Sequence, residues 1–136
     1  MTKEFVPYEL ALKLKQLGFD EPCISYYTVY GKFSNDYSAP RKYNSEFELG
    51  SYISAPTLSQ AFRWFRENYS LYSLIGMHPN TKEWYSSYQN LNWSGKETLD
   101  FIKTEDRRIR FKTYEEAELA TLDKLIEIVE TKQQEQ

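Results

Sequence analysis

The one histidine of the chain, His78, is its only imidazole for acid–base or metal chemistry. A catalytic histidine needs an orienting partner and usually a nucleophile beside it. His78 opens the segment His78-Pro-Asn-Thr-Lys82, which reads as a turn, and no sequence signature supplies such a partner. We therefore read it as a turn residue. With one histidine and one cysteine, a multi-histidine or Cys-based zinc site within the chain is excluded, and no metal or cofactor is expected. Gly95-Lys96-Glu97-Thr98 has a superficial likeness to a phosphate loop. The motif needs a glycine five residues before Gly95, where Asn90 stands, and Ser or Thr after the lysine, where Glu97 stands. Five glycines in all form no dinucleotide fingerprint. Cys23, following Pro22, reads as a small buried hydrophobe rather than a reactive thiol.

Charge is unevenly spread. Between Glu115 and Gln136 stand seven acids and two lysines, read as the solvated face of a helix whose N-terminal dipole welcomes Glu115 and Glu116. Carboxylates so clustered leave open a carboxylate-based enzyme, because sequence spacing does not show which acids face one another. Just upstream the sign reverses: Lys103, Arg107, Arg108, Arg110 and Lys112 outnumber Glu105 and Asp106. If residues 108–112 form a strand, Arg108, Arg110 and Lys112 share one face, and such a row can follow phosphates. A charged edge strand protected from aggregation has the same pattern.

Aromatic residues make up 17% of the chain, with 12 Tyr, 8 Phe and 3 Trp. Tyr26, Tyr30, Phe62 and Phe65 fall on expected buried faces. Trp64, Trp84, Tyr85 and Trp93 do not, nor do Tyr37 and Tyr43. Tyr and Trp combine an apolar body with a polar handle and are enriched at interfaces. Trp64, Trp84, Tyr85 and Trp93 are thus the candidate binding residues, set against packing on both faces of an aromatic-rich sheet.

The elements that must position these residues are marked by period and punctuation. Leu10, Leu14 and Leu17 make a helical stripe after Pro7, ended by Gly18 with Phe19 folding back onto Leu14. Thr57-Leu-Ser-Gln60 and Thr113-Tyr-Glu-Glu116 match capping boxes and open two further helices. Leu58, Ala61, Phe62 and Phe65 form the stripe of the second, with Trp64 off it. Leu119, Leu122, Ile126 and Val129 form that of the third, widened by Leu125 and Ile128, and a polar tail follows from about Lys132. Ile24–Tyr30 reads as a strand with a turn at Gly31-Lys32, and Phe47–Ile53 as a weaker one. Leu71–Met77 and Trp84–Leu91 read as a hairpin, Arg108–Lys112 as a half-buried strand, and residues 34–46 as a loop; residues 92–105 fit either a short helix or a strand. The expected architecture is a single α+β domain over residues 1–136, a mostly antiparallel sheet with about three helices packed on it.

A length of 136 residues, 40% hydrophobic and 27% charged, suits one globular core. The net charge of −3 excludes a wholly basic nucleic-acid binder and is too mild for a DNA mimic. Met1-Thr-Lys-Glu-Phe-Val-Pro7 has no apolar signal region, no apolar run approaches the roughly 18 residues a membrane helix needs, and the lone cysteine suits a reducing interior. A cytoplasmic location without membrane contact is therefore expected.

Three blocks also carry a resemblance. Phe5–Cys23, Ala55–Glu67, and Thr113–Ala120 with Lys124–Ile128 resemble small uncharacterised proteins of phages and mobile elements of gut Bacteroidetes. The blocks cover the helices; residues 24–54 and 68–112 do not share in the match. The resemblance implies a phage or mobile-element setting and carries over no catalytic residue. Three functions follow in order: a non-enzymatic accessory protein that binds a host or phage protein; a nucleic-acid-binding module using Arg107, Arg108, Arg110 and Lys112; and a carboxylate-based enzyme. The oligomeric state is open, since an exposed aromatic face or unpaired edge strand would equally serve a homodimer.

Overall fold

The computed structural model describes residues 2–35, 43–46, 52–90, 98–104 and 107–134. Three α-helices and antiparallel strand pairs make it an α+β protein. Residue proximity divides the chain into two compact units, Met1–Ala61 and Phe62–Gln136, with the division falling inside the second helix. Among the described residues the strands form a three-stranded antiparallel sheet in the first unit, and a three-stranded antiparallel sheet and a two-stranded ladder in the second.

In the first unit, α1 (Tyr8–Leu17) buries Ala11, Leu14 and Leu17, while Leu10 is half-buried. Gly18 ends it in the left-handed region at φ 101°, where a side chain would be strained. Its N–H donates to the Lys15 carbonyl at 3.1 Å, and the Phe19 N–H to Leu14 at 2.9 Å, the paired bonds of a Schellman stop. β1 (Ser25–Thr28) is the middle strand, antiparallel to β2 (Phe33–Asn35) and β3 (Tyr52–Ser54), and α1 packs on β3. Ser25 and Tyr27 are the buried positions of β1. Tyr26 is half-buried and Tyr30, expected in the core, is 94% exposed on the following turn. The inward face is the other one of the two-residue alternation, because the Tyr27 hydroxyl finds the Val6 carbonyl at 2.6 Å and its ring meets Phe33 and Tyr8. Burial raises the Tyr27 pKa. Within the expected loop 34–46, buried Asn44 donates to the Phe19 carbonyl and accepts from the Ser54 N–H, tying three segments together.

α2 (Leu58–Tyr69) is opened by Thr57, whose Oγ1 accepts the Gln60 N–H at 3.1 Å. The Gln60 amide does not close the box; it donates to the Pro22 carbonyl and to Glu21. In the second unit, β4 (Leu71–Met77) and β5 (Trp84–Asn90) form the expected hairpin in unbroken register, and β6 (Thr98–Phe101) adds to the far edge of β5. β7 (Lys103–Thr104) and β8 (Arg107–Arg108) form the two-stranded ladder. α3 (Tyr114–Gln134) lies on β4 and β5 and buries Ala117, Thr121, Leu122, Leu125, Ile126 and Val129. Its Thr113 cap accepts the Glu116 N–H, and the Glu116 carboxylate accepts the Lys112 N–H. The buried stripe is rotated from the expected one: Leu119 and Ile128 are half-buried, and Thr121 takes a fully buried place because Ser86 on β5 bonds its hydroxyl. The helix runs on through Lys132 and Gln133, where a tail was expected. Among the described residues no helix is long and apolar enough to cross a membrane.

Candidate functional site

The hairpin end of the second unit holds a cleft of about 660 Å³ lined by Met77, His78, Pro79, Glu83, Trp84, Tyr85 and Arg110. Its position follows from the turn. The His78 N–H donates to the Glu83 carbonyl, the Lys82 N–H to His78, and Lys82 takes a left-handed φ of 59°, which closes the chain tightly enough to start β5 at Trp84. On the other side of β5, Trp84 and Phe111 exchange both backbone bonds at 2.7 Å. That bridge sets Arg110 beside the strand end, where its guanidinium lies 3.8 Å from the Glu83 carboxylate. Both side chains remain substantially exposed, so the pair contributes little to stability and leaves the guanidinium open to a further acceptor.

Trp84 and Tyr85 are consecutive in β5, so their side chains leave the strand on opposite faces. The Trp84 ring meets the Tyr114 ring on α3 edge-on at 5.3 Å. Tyr85 lies across the ladder over Gly76, so closely that a Cβ at position 76 would fall 2.5 Å from the Tyr85 Cζ and Oη. Gly76 is thus the residue that lets the Tyr85 ring lie flat against the hairpin. Met77, 49% exposed, adds a flexible apolar contact at the rim. His78 is half-buried, and its Nδ1 is shielded from solvent without a hydrogen-bond partner among the described residues.

The candidate residues read from sequence divide accordingly. Trp84, Tyr85 and Arg110 come together at the cleft. Trp64 does not: it is 6% exposed and packs edge-on against Phe65 and Tyr69. It leaves the candidate surface because α2 buries a wider face than its leucine–phenylalanine stripe implied. Trp93 and Tyr37 lie outside the described residues. Lys112 is exposed, next to the Phe111 bridge. The expected strand 108–112 is not continuous: β8 ends at Arg108, and Phe111 makes an isolated bridge to a different partner. A row of Arg108, Arg110 and Lys112 on one strand face is therefore corrected, and of Arg107 and Arg108 only the backbone is described. Sequence reading took His78 as a plain turn residue and did not single out Met77 or Glu83; the hairpin brings all three to the cleft.

Among the described residues no group of three or more histidine, cysteine or acidic side chains is arranged to hold a metal ion. Cys23 is buried, its thiol near the Glu21 carbonyl and the Gln60 amide oxygen. The acids of α3 are mostly exposed, and Glu118 has its pKa raised by burial and then by Glu115. Comparison of the chain with protein-family models, with curated proteins and with solved structures finds no match.

Proposed function

We propose that the chain is a non-enzymatic binding protein, a phage or mobile-element accessory factor that engages a host or phage protein through the hairpin-end cleft. The observation that carries this is a cleft at the hairpin end whose lining includes Trp84, Tyr85 and Met77, with the exposed Glu83–Arg110 ion pair at its side. Such a site suits insertion of an apolar or aromatic side chain from a partner, oriented by one charged contact. Rigid aromatics supply contact area at low entropic cost, and interface energies concentrate on such anchors. The phage setting is supported by the resemblance of the three helical blocks.

A photo-crosslinking residue at Met77 tests this in lysates taken with and without infection. The expected result is a defined crosslinked protein whose affinity, remeasured with purified components, falls at least about tenfold with Met77→Asp and with Arg110→Glu. Recovery of no protein partner under either condition, or a partner indifferent to both variants, overturns the proposal. Salt-sensitive retention of nucleic acid in place of protein would move the function to the Arg110–Lys112 segment.

A further inference from the structure

β4 is an edge strand, and among the described residues no strand pairs with its outer side. The direction of its backbone groups follows from the neighbouring ladder. Ile102 N–H donates to the Ser86 carbonyl, and Trp84 exchanges its bonds with Phe111, so the even-numbered residues of β5 bond away from β4. The odd-numbered ones bond toward it, where Tyr85, Ser87 and Gln89 meet Gly76, Leu74 and Tyr72. Leu71, Ser73, Ile75 and Met77 therefore turn their N–H and C=O groups away from β5; Leu71 is covered at 2% exposure, and among the described residues no strand pairs with Ser73, Ile75 or Met77 on that side.

Natural edges discourage a second strand with charge, proline, bulges or brevity. β4 has none of these. It is seven residues long, carries no charge and no proline, and keeps unbroken register with β5. Three of its apolar side chains are open, Leu74 at 63% exposure, Met77 at 49% and Tyr72 at 40%, while Leu71 is buried and Ser73 and Ile75 are half-buried. No aspartate, glutamate, lysine or arginine stands between Glu67 and Lys82 in a chain whose net charge is −3. This strip is where two copies of an acidic protein can approach without like-charge repulsion.

We propose that β4 pairs antiparallel with β4 of a second copy of this chain, about a two-fold axis through Leu74, joining the two three-stranded sheets into one. This register uses the outward-facing backbone groups at the middle of the strand. Ser73 pairs with Ile75 of the second copy and Ile75 with its Ser73, each pair exchanging two hydrogen bonds, while buried Leu71 lies beyond the pairing. On the face away from α3, Leu74 meets its own counterpart and Tyr72 falls opposite Gly76. Gly76 has no side chain, and the Tyr85 ring lies over it, so Tyr72 arrives against an aromatic surface rather than a Cβ. Side chains across a non-hydrogen-bonded pair approach closely, which makes Leu74 the most sensitive position. An interface of one strand edge lies at the small end of the range for specific association, so the dissociation constant is expected in the micromolar range.

Sedimentation velocity of the full chain across that range is the test. The wild type should pass from monomer to dimer. Leu74→Lys and Leu74→Glu, each placing like charges on the axis at an exposed position, should weaken the dimer at least about tenfold. An equimolar mixture of these two variants should dimerise again. Ser73→Pro removes a donor that faces away from β5, so the monomer retains its ladder while the dimer weakens; far-UV circular dichroism checks that each variant is folded. A wild type that stays monomeric throughout, a dimer unmoved by Leu74→Lys, or a mixture that fails to re-associate overturns the proposal.

Discussion

Ser86 and Thr121 place two hydroxyls in the core of the second unit, where β5 meets α3, and both residues are almost fully buried. The order of their protons can be deduced. Thr121 Oγ1 donates back to the Ala117 carbonyl at 2.6 Å, so its own proton is spent within the helix. The Ser86 hydroxyl must then donate to Thr121. The chain Ser86 to Thr121 to Ala117 is directional, and its two ends are unequal. Thr121→Val deletes the acceptor and strands the Ser86 donor out of reach of water. The lost bond is worth about 1 kcal/mol net and the stranded hydroxyl adds a desolvation cost, for about 2 kcal/mol together. Ser86→Ala leaves Thr121 with its donor bond intact and costs about 1 kcal/mol. With both replaced no orphan remains, and the double variant should also lose only about 1 kcal/mol, a coupling of about 2 kcal/mol. Urea unfolding followed by circular dichroism reads these differences. With a slope of about 2 kcal/mol/M, Thr121→Val should lower the midpoint by about 1 M and the added Ser86→Ala should recover half of it. Additive losses, or Ser86→Ala costing more than Thr121→Val, would refute the proton order.

Other positions give more separable effects. Gly18→Ala should cost about 1 kcal/mol in the same assay, since nothing crowds the site and only the left-handed φ of 101° opposes a side chain. Gly76→Ala meets the far end of the Tyr85 side chain rather than backbone, so the ring should shift aside at a cost of about 1–3 kcal/mol. Displaced NMR resonances of the Tyr85 ring protons would show the movement, and a larger loss would show that the ring cannot give way. Glu118 has a pKa raised by burial and by Glu115, so its ionisation is less favourable in the folded protein than in the unfolded chain. Its contribution to stability should decline as pH rises from the ordinary carboxylate value of 4.5 through the raised folded value. Glu118→Gln should remove that slope from a melting-temperature series and stabilise at neutral pH; an unchanged slope would count against the burial.

Helix ends were the most readable features because their chemistry is local. Gly18 with Phe19, Thr57 with Gln60 and Thr113 with Glu116 each act within a few residues, and each stop or cap forms at the expected place. What those side chains do beyond their own turn was not readable: Gln60 bonds Pro22 and Glu21, far away in sequence, rather than its own cap. The inward face of a short strand is likewise a tertiary decision. Ile24–Tyr30 carries apolar or aromatic residues on both faces, so alternation does not choose between Tyr26 and Tyr27; a Val6 carbonyl that accepts the Tyr27 hydroxyl does. Helix α3 shows the same limit. Leu119 reads as core but is half-buried, and Thr121, outside the apolar stripe, is buried where Ser86 across the interface bonds its hydroxyl.

The cleft divides along the same line. Trp84 and Tyr85 are adjacent in sequence and were identifiable as aromatics without an obvious core to fill. Their neighbours are topological. His78 and Glu83 reach the site because the turn has a particular length, and Arg110 because Phe111 bridges to the free side of Trp84. Nothing in the run Arg107–Lys112 marks which residue will stop beside Glu83, and a continuous strand would have placed three cations in a row. The break after Arg108 interrupts the strand that would have aligned Arg108, Arg110 and Lys112, and the bridge at Phe111 sets the Arg110 guanidinium beside Glu83 at the cleft.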